Sequence, residues 1–218
     1  MENLFLGTAM VTPNQGGKMS ENRLPVITIN REYGAGGRSL AALLSESLGI
    51  PYYDKDFVLK TVEESGYDKE DVEREGEEMS RSSKVLNDIL NGTVSYQSSY
   101  DAIYKAEKNV ILKLAENPCI IVGRCANVIL NEAGIDSLNI YLHGPMEIKM
   151  KRLDEISAEN TPVTEKMVEE HERKRRTFFK KYTGYEIFDA SIYTFSFDVG
   201  KIDLPMCANI ILNALNKA

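Results

Sequence analysis

The chain has 218 residues, of which 43% are hydrophobic and 27% charged, and its formal net charge is −7. This length allows one domain with a sizeable core, and the negative charge argues against nucleic-acid polymers or anionic membranes as partners. The apolar runs are far too short to span a bilayer, and three cysteines without metal-ligand spacing favour a reduced, cytoplasmic setting.

Residues 1–23 are predicted to form a disordered tail, because residues 14–18 are polar and contain glycine. Residues 24–218 then form one folded domain. Within it, residues 63–78 carry nine acidic groups, which we interpret as a solvated helix face or mobile flap rather than a functional patch.

Strands and helices are predicted to alternate along the rest of the chain. The predicted strands are residues 25–30, 51–53, 119–122, 138–142 and 193–197. The predicted helices are residues 38–48, 98–116, 145–156, 164–181 and 205–216, with one more after Gly123-Arg124. This alternation indicates an α/β fold with a parallel sheet and right-handed crossovers.

The run Arg-Glu-Tyr-Gly-Ala-Gly-Gly-Arg-Ser at residues 31–39 lies between the first strand and the first helix. Glycines let backbone N–H groups approach an anion closely, and the helix N-terminus contributes its positive dipole end. The run therefore predicts a phosphate cradle, with a simple tight turn as the alternative. The cradle residues are Gly34, Ala35, Gly36, Gly37, Arg38 and Ser39.

The cradle lacks the lysine of the P-loop pattern, since Gly37 stands at that position. Arg38 is adjacent and could supply the missing positive charge, although a planar guanidinium cannot occupy the place of an ammonium group. Ser39 is predicted to offer its hydroxyl to Mg²⁺, as the serine or threonine of a P-loop does.

Asp54 and Asp56 follow the second predicted strand, at the edge where open α/β sheets place their ligands. The two carboxylates could hold a hydrated Mg²⁺ or accept a proton from a hydroxyl group. Either residue could equally be the N-cap of the following helix, and the sequence leaves both interpretations open.

Arg124 directly follows the third predicted strand, which is continuously apolar and therefore predicted to be buried on both faces. An arginine at this edge can hold a phosphate through two hydrogen bonds, and a plain surface arginine is the alternative. Cys125 is interpreted as a small helix residue rather than a nucleophile, because no histidine can be assigned to it as a base.

Residues 171–181 carry six positive charges and one negative charge on a predicted helix. Glutamates at 169, 170 and 172 stand four residues before basic ones, and such pairs stabilise a helix without any ligand. Arg175, Lys180 and Lys181 have no such glutamate, and the functional alternative is a closing lid whose arginines stabilise negative charge during phosphoryl transfer.

Taken together, these motifs resemble the cytidylate-kinase-like branch of the P-loop nucleoside monophosphate kinases. The resemblance extends over about residues 25–215 and is carried by residues 29–38, 49–55, 121–126, 172–175 and 178–184. It implies a three-layer P-loop kinase fold with a five-stranded parallel sheet. It also implies a helical acceptor-binding region at residues 55–117 and a lid at residues 153–176.

The resemblance also implies roles for particular residues. The cradle would face the phosphates of ATP, Arg124 would bind the phosphate of the acceptor, and Ser39 with Asp54 would hold Mg²⁺. The arginines of the lid and its flanks would be Arg152, Arg173 and Arg175.

Three departures accompany this resemblance. Arg31 and Gly37 stand where cytidylate kinases have glycine and lysine, and Cys125 replaces the aspartate that helps to read cytosine. The resemblance therefore does not name CMP as the acceptor. The spacing of Asp54 and Asp56 is also similar to that of shikimate-type kinases.

The leading hypothesis is an ATP- and Mg²⁺-dependent kinase of a nucleoside monophosphate or similar small acceptor. A nucleotide-binding protein with a degenerate P-loop is the alternative. An NAD-binding oxidoreductase is a further alternative, since Asp54 lies 20 positions after Gly34. Whether residues 55–117 close over the acceptor or mediate a homodimer is left open.

Overall fold

A computed structural model of the chain describes residues 25–64, 99–156 and 162–215. The predicted tail lies outside the described residues. So do residues 65–98, which include most of the acidic stretch, and residues 157–161 of the predicted lid. No helix of the described ranges is long and apolar enough to cross a membrane.

The described residues contain five strands, seven α-helices and one short 3₁₀ helix. The strands are β1 (Val26–Arg31), β2 (Tyr52–Tyr53), β3 (Ile120–Val122), β4 (Ser137–His143) and β5 (Phe195–Asp198). The α-helices are α1 (Gly37–Leu48), α2 (Lys55–Glu64), α3 (Ser99–Leu114), α4 (Ala126–Glu132), α5 (Met146–Ile156), α6 (Glu165–Thr183) and α7 (Leu204–Leu215). The 3₁₀ helix is Ala190–Ile192.

The strands form one parallel sheet in the order β2-β3-β1-β4-β5, which confirms the predicted five-stranded α/β fold. In the centre of the sheet, Ile29 of β1 is in register with Val122 of β3 and Ile140 of β4. Because β3 lies between β1 and β2, the order differs from the 3-2-1-4-5-6 order of the dinucleotide-binding fold. The topology therefore disfavours the NAD-binding alternative.

Apolar side chains cover both faces of the sheet, as expected for parallel strands with helices on each side. On one face, Ile27 and Ile29 pack in a cluster with residues of α1 and α7. On the other face, Ile121 and Tyr141 pack with residues of α3 and α4 and with Phe179 of α6. This second cluster holds the C-terminal half of α6 against the sheet.

Helix ends and one strand end show how local sequence sets these boundaries. Gly49 ends α1 in the left-handed region with φ 65°, as its position predicts. The Thr164 hydroxyl caps α6 by accepting from the N–H of Met167 at 3.3 Å. The fifth strand begins at Phe195 rather than at residue 193, because the 3₁₀ turn persists until the N–H of Tyr193 donates to Ala190.

The fold brings three chain turns to one edge of the sheet. The loop after β1 begins at Glu32, the loop after β3 begins at Gly123, and Asp54 follows β2. Since β2, β3 and β1 are neighbours and parallel, the carboxyl ends of all three strands meet there. The candidate site is built at this edge.

Candidate active site

The glycine loop, residues 32–39, joins β1 to the first turn of α1. Gly34 and Gly36 have φ values of 82° and 91°, in the region that favours glycine. The N–H of Leu40 donates to the carbonyl oxygen of Gly36 at 3.0 Å and so closes the first turn of α1. The first turn of a helix leaves its N–H groups without intrahelical partners, so this loop can cradle an anion.

The loop is also packed closely against two helices. A Cβ at Gly34 would lie 2.7 Å from the carbonyl oxygen of Lys149 in α5. A Cβ at Gly36 would lie 2.7 Å from Cδ1 of Leu204, the first residue of α7. The glycines therefore serve both the turn conformation and the close approach of neighbouring elements.

Arg152 of α5 lies beside the glycine loop, and its contact with the nucleotide, which the resemblance implies, stays a prediction. Its Nη1 donates to the carbonyl oxygen of Gly34 at 3.2 Å. The same nitrogen would lie 3.0 Å from a Cβ at Gly36. Arg152 thus places a positive charge at the rim of the loop.

Arg38 is held by the two carboxylates that follow β2. Its Nε lies 2.7 Å from Oδ2 of Asp54, and its Nη2 also pairs with Asp56. Burial lowers the pKa of Arg38, but the two carboxylates outweigh this effect and raise it. The side chain is 57% exposed, at the outer side of the first turn of α1, next to the exposed Ser39.

Asp54 caps α2, since its Oδ1 accepts from the N–H groups of Asp56 and Phe57 at 3.0 and 3.1 Å. The N-cap interpretation of Asp54 is thereby confirmed. Both carboxylate oxygens have partners in this arrangement, so Mg²⁺ bound at Asp54 must compete with Arg38. Its role as a metal ligand stays a prediction.

Arg124 is buried, so the alternative of a surface arginine is wrong. Its Nη1 lies 2.9 Å from Oε1 of the fully buried Glu107 in α3, and its guanidinium stacks over the Phe178 ring at 5.1 Å. Burial raises the pKa of Glu107, and the positive charge of Arg124 opposes that shift. Glu107 therefore acts as the anchor that fixes the direction of Arg124.

The backbone at this turn is strained. Gly123, Arg124 and Cys125 have φ values of 84°, 54° and 57°, and two of these three residues carry a side chain. Left-handed conformations cost non-glycine residues about 1–2 kcal/mol each, and such costs concentrate at functional sites. Cys125 itself is buried, which raises the pKa of its thiol, so it is not a poised nucleophile.

Helix α6 docks on the glycine loop through Arg175. Its Nη1 donates to the carbonyl oxygen of Arg31 at 2.8 Å, and its guanidinium lies 5.9 Å from the centre of the Tyr33 ring. Tyr33 of the glycine loop also stacks on His171 of α6, with the ring centres 4.3 Å apart. Arg173 lies exposed on the same helix.

The helix-stabilising interpretation of α6 also has support. Glu170 pairs with Lys174, and Glu172 pairs with Arg176, each at 3.4 Å and at i,i+4 spacing. Such pairs contribute only a few tenths of a kcal/mol each, about 0.2–0.5 kcal/mol. These pairs explain why Lys174 and Arg176 stand on this helix. Arg175 instead donates to the backbone at the start of the glycine loop.

The model of the Cytidylate kinase-like family matches residues 26–201. The chain belongs to this family. As a cytidylate kinase-like protein, it is 25% identical over 196 residues to the cytidylate kinase of Methanococcus maripaludis, covering 88% of this chain and 97% of that relative. It is 21% identical over 194 residues to the cytidylate kinase of Sulfolobus acidocaldarius, covering 88% and 94%.

Solved structures share the fold of this cytidylate kinase-like chain. An uncharacterized protein from Eubacterium ventriosum aligns with a TM-score of 0.61 at 23% identity, over 89% of this chain and 99% of the other. Shikimate kinase from Bacteroides thetaiotaomicron aligns with a TM-score of 0.51 at 16% identity, over 88% and 98%. Family and fold together support a P-loop kinase of a nucleotide or small molecule.

A buried ion network in this cytidylate kinase-like chain was missed by the sequence reasoning. Nζ of Lys149 lies 3.0 Å from Glu32 of the glycine loop and 2.5 Å from Glu172 of α6. Glu32 also accepts from the N–H of Gly144 at 3.2 Å. Burial lowers the pKa of Lys149, but its hydrogen bonds to both glutamates raise it overall.

Arg31 is another residue to which the sequence reasoning gave no role. It ends β1, is partly buried and lies against Gly37 of the glycine loop. Burial is the main reason that the pKa of Arg31 lies well below its ordinary value. The neighbouring charges of Arg175, Arg38 and Arg124 lower that pKa further. Arginines from four parts of the chain therefore gather at this loop.

Proposed function

We propose that this protein transfers the γ-phosphate of ATP to a nucleoside monophosphate or a similar small phosphorylated acceptor. The observation that carries the proposal is the gathering of Arg31, Arg38, Arg124 and Arg175 around a glycine loop at the carboxyl edge of the sheet. Phosphoryl transfer needs mainly positioning and neutralisation of negative charge, and this arrangement offers both.

On the donor side, the proposal assigns the ATP phosphates to the backbone N–H groups of residues 36–39. Arg152 at the rim of the loop adds charge on that side. Arg175 and Arg173 reach over the transferred group from α6, where positive charge lowers the barrier. The contact of Arg175 with Arg31 already joins α6 to the loop.

Magnesium is proposed to enter with the nucleotide as part of the substrate. A serine hydroxyl and an aspartate carboxylate are hard oxygen ligands of the type that Mg²⁺ prefers. Ser39 on the first turn of α1 and Asp54 after β2 are the residues proposed to hold it. Release of Asp54 from Arg38 would then accompany binding of the metal.

On the acceptor side, the proposal assigns the phosphate to Arg124. The guanidinium has five N–H donors in a fixed fork, and the recorded ion pair with Glu107 engages Nη1. Further donors of this anchored group can therefore bind an incoming phosphate. Arg124 is followed by Cys125, where cytidylate kinases have the aspartate that helps to read cytosine. CMP is therefore tested as one acceptor among several.

The test is a coupled assay of ADP release with ATP and Mg²⁺ and a panel of acceptors: CMP, dCMP, UMP, AMP, GMP and shikimate. We expect acceptor-dependent ADP release with at least one of them. Arg124→Ala should lower kcat/KM for that acceptor by about 100-fold, as is typical for loss of one charge-stabilising group. Lys180→Ala, at an exposed pair with Glu186, is the matched control and should change it by less than about twofold.

The outcomes separate the proposal from its rival. Tight binding of ATP without turnover on any acceptor would favour a nucleotide-binding protein without kinase activity. This alternative is based on Gly37, which stands at the lysine position of the P-loop pattern. Absence of both binding and turnover would overturn the proposed function altogether.

A further inference from the structure

Relative to the P-loop pattern, the chain has a basic residue and a glycine in reversed positions, one at the end of β1 and one in the glycine loop. That pattern begins with glycine and has lysine six positions later, next to its second glycine. Here Arg31 stands at the first place and Gly37 at the lysine place, with Gly36 as the second glycine. The side chain lost at one position is thus matched by a cationic side chain gained at the other.

The structure shows that the two positions are in contact. A Cβ on Gly37 would lie 3.0 Å from Cγ and from Cδ of Arg31, and 3.3 Å from its Nε. Gly37 does not have a positive φ, so its backbone conformation is open to any residue. The need for glycine at position 37 therefore comes from the Arg31 side chain that runs across it.

The head of the same side chain lies over the next strand end. A Cβ on Gly123 would collide with Nη1 of Arg31. The Arg31 side chain thus leaves β1, crosses the first residue of α1 and ends above the turn that carries Arg124. This path keeps the guanidinium close to the N–H groups that form the cradle.

Within the described part of the chain, the Arg31 guanidinium has no ion-pair partner, and the charge of Asp54 offsets those of the neighbouring arginines only in part. Arg38 pairs with Asp54 and Arg124 pairs with Glu107. Among the described residues, no carboxylate forms an ion pair or hydrogen bond with the Arg31 guanidinium. A guanidinium beside other cations and without a counter-ion favours the binding of an anion.

We propose that Arg31 binds the β- and γ-phosphates of the nucleotide and supplies the positive charge that a lysine supplies in the P-loop pattern. This inference rests on the proposed function. The positive charge then comes from the end of β1 instead of the start of α1. Glycine at position 37 leaves room for the Arg31 side chain that carries this charge. The planar fork also predicts two hydrogen bonds to phosphate oxygens, which an ammonium group cannot form in the same geometry.

The test measures the dissociation constant of ATP–Mg²⁺ and kcat in five variants: Arg31→Gln, Arg31→Lys, Arg31→Gly, Gly37→Lys and the double variant Arg31→Gly/Gly37→Lys. Melting temperatures establish that each variant is folded. Arg31→Gln keeps much of the side-chain volume, and we expect kcat to fall by about 100-fold or more. Arg31→Lys should recover only part of that loss.

The exchange itself gives the sharper prediction. Gly37→Lys alone should be impaired, because its Cβ meets Arg31. The double variant removes that contact and restores the conventional pattern, so it should exceed both Arg31→Gly and Gly37→Lys in kcat by about tenfold or more. Lys180→Ala serves as the control for loss of a remote positive charge and should stay within about twofold of the wild type.

The outcomes distinguish this inference from the function on which it rests. A wild type that binds ATP–Mg²⁺ and turns over while Arg31→Gln does so equally well would overturn the role of Arg31 and leave the kinase proposal intact. A double variant no better than the single ones would overturn the exchange. A wild type that neither binds nor turns over would overturn both proposals together.

Discussion

At the scale of single residues, the need for glycine at positions of the glycine loop is set by the atoms that lie beside them. Gly34 has a left-handed backbone, and the nearest atom to its missing Cβ is a backbone carbonyl oxygen of α5, at 2.7 Å. A backbone atom cannot turn aside as the end of a side chain can. Substitution at this position must therefore displace the loop or the helix.

We expect Gly34→Ala to lower the free energy of unfolding by more than about 2 kcal/mol, from strain and overpacking together. It should also weaken binding of ATP–Mg²⁺, measured by calorimetry. Gly134→Ala is the matched control, since its φ is 69° and nothing lies within 4 Å of its Cβ. The control should cost about 1 kcal/mol and leave nucleotide binding unchanged. Equal effects of the two substitutions would contradict the close packing of the loop.

The candidate site shows which single-residue roles the sequence could predict. The glycines could be placed because spacing relative to a strand and a helix determines where they lie, whereas Arg152 was assigned only through the resemblance to the family. The burial of Arg124 could not be predicted, because it depends on three consecutive left-handed residues and on its ion pair with Glu107 of α3, which precedes β3 in the chain. The partners of Arg38 could not be predicted either, since they required the position of the loop after β2 relative to α1.

At the scale of elements, α6 is tied to the glycine loop by charge as well as by Arg175. Lys149 is the centre of this tie, because its amine lies between Glu32 of the loop and Glu172 of α6. The side chains of Lys149 and Glu172 are only 5% and 11% exposed. Solvent therefore screens this network much less than it screens a surface pair.

Lys149→Met should lower the free energy of unfolding by about 3 kcal/mol, because it removes the cation between Glu32 and Glu172. Arg176, at 3.6 and 3.4 Å from these two carboxylates, would then be their remaining ion-pair partner among the described residues. Chemical denaturation at pH 7 measures the loss. Lys174→Met removes the exposed i,i+4 pair with Glu170 and should cost less than about 1 kcal/mol.

The pH dependence of that difference follows from the direction of the pKa shift. The pKa of Lys149 is raised above its ordinary value of 10.5, so its stabilising contribution is complete at lower pH and is lost only as the pH rises through the folded-state value. The difference between wild type and Lys149→Met should thus stay constant between about pH 7 and pH 9. A loss of the difference within that range would contradict the network.

At the scale of the whole molecule, the fold could be predicted because it depends on alternation alone. Apolar strands that alternate with helices indicate a parallel sheet, and the sheet order places β2, β3 and β1 side by side. What alternation cannot give is the set of side-chain contacts across the carboxyl edge. Those contacts join residues that are far apart in the chain, such as Arg31 and Arg175.

The family and the fold support a P-loop kinase, and the proposed role of Arg31 would explain how the glycine loop binds phosphate without the usual lysine. The departures from the P-loop pattern are in this account two halves of one change. Arg31 brings the charge, and Gly37 leaves the space for it. Under this proposal, the glycine loop is a rearranged phosphate site whose positive charge comes from the end of β1.

The most direct measurement is a crystal structure with a non-hydrolysable ATP analogue and Mg²⁺. We expect the β- and γ-phosphates to lie within about 2.7–3.2 Å of the N–H groups of residues 36–39 and of the Arg31 guanidinium. Phosphates bound elsewhere on the protein, or bound in the loop with Arg31 turned away from them, would contradict it.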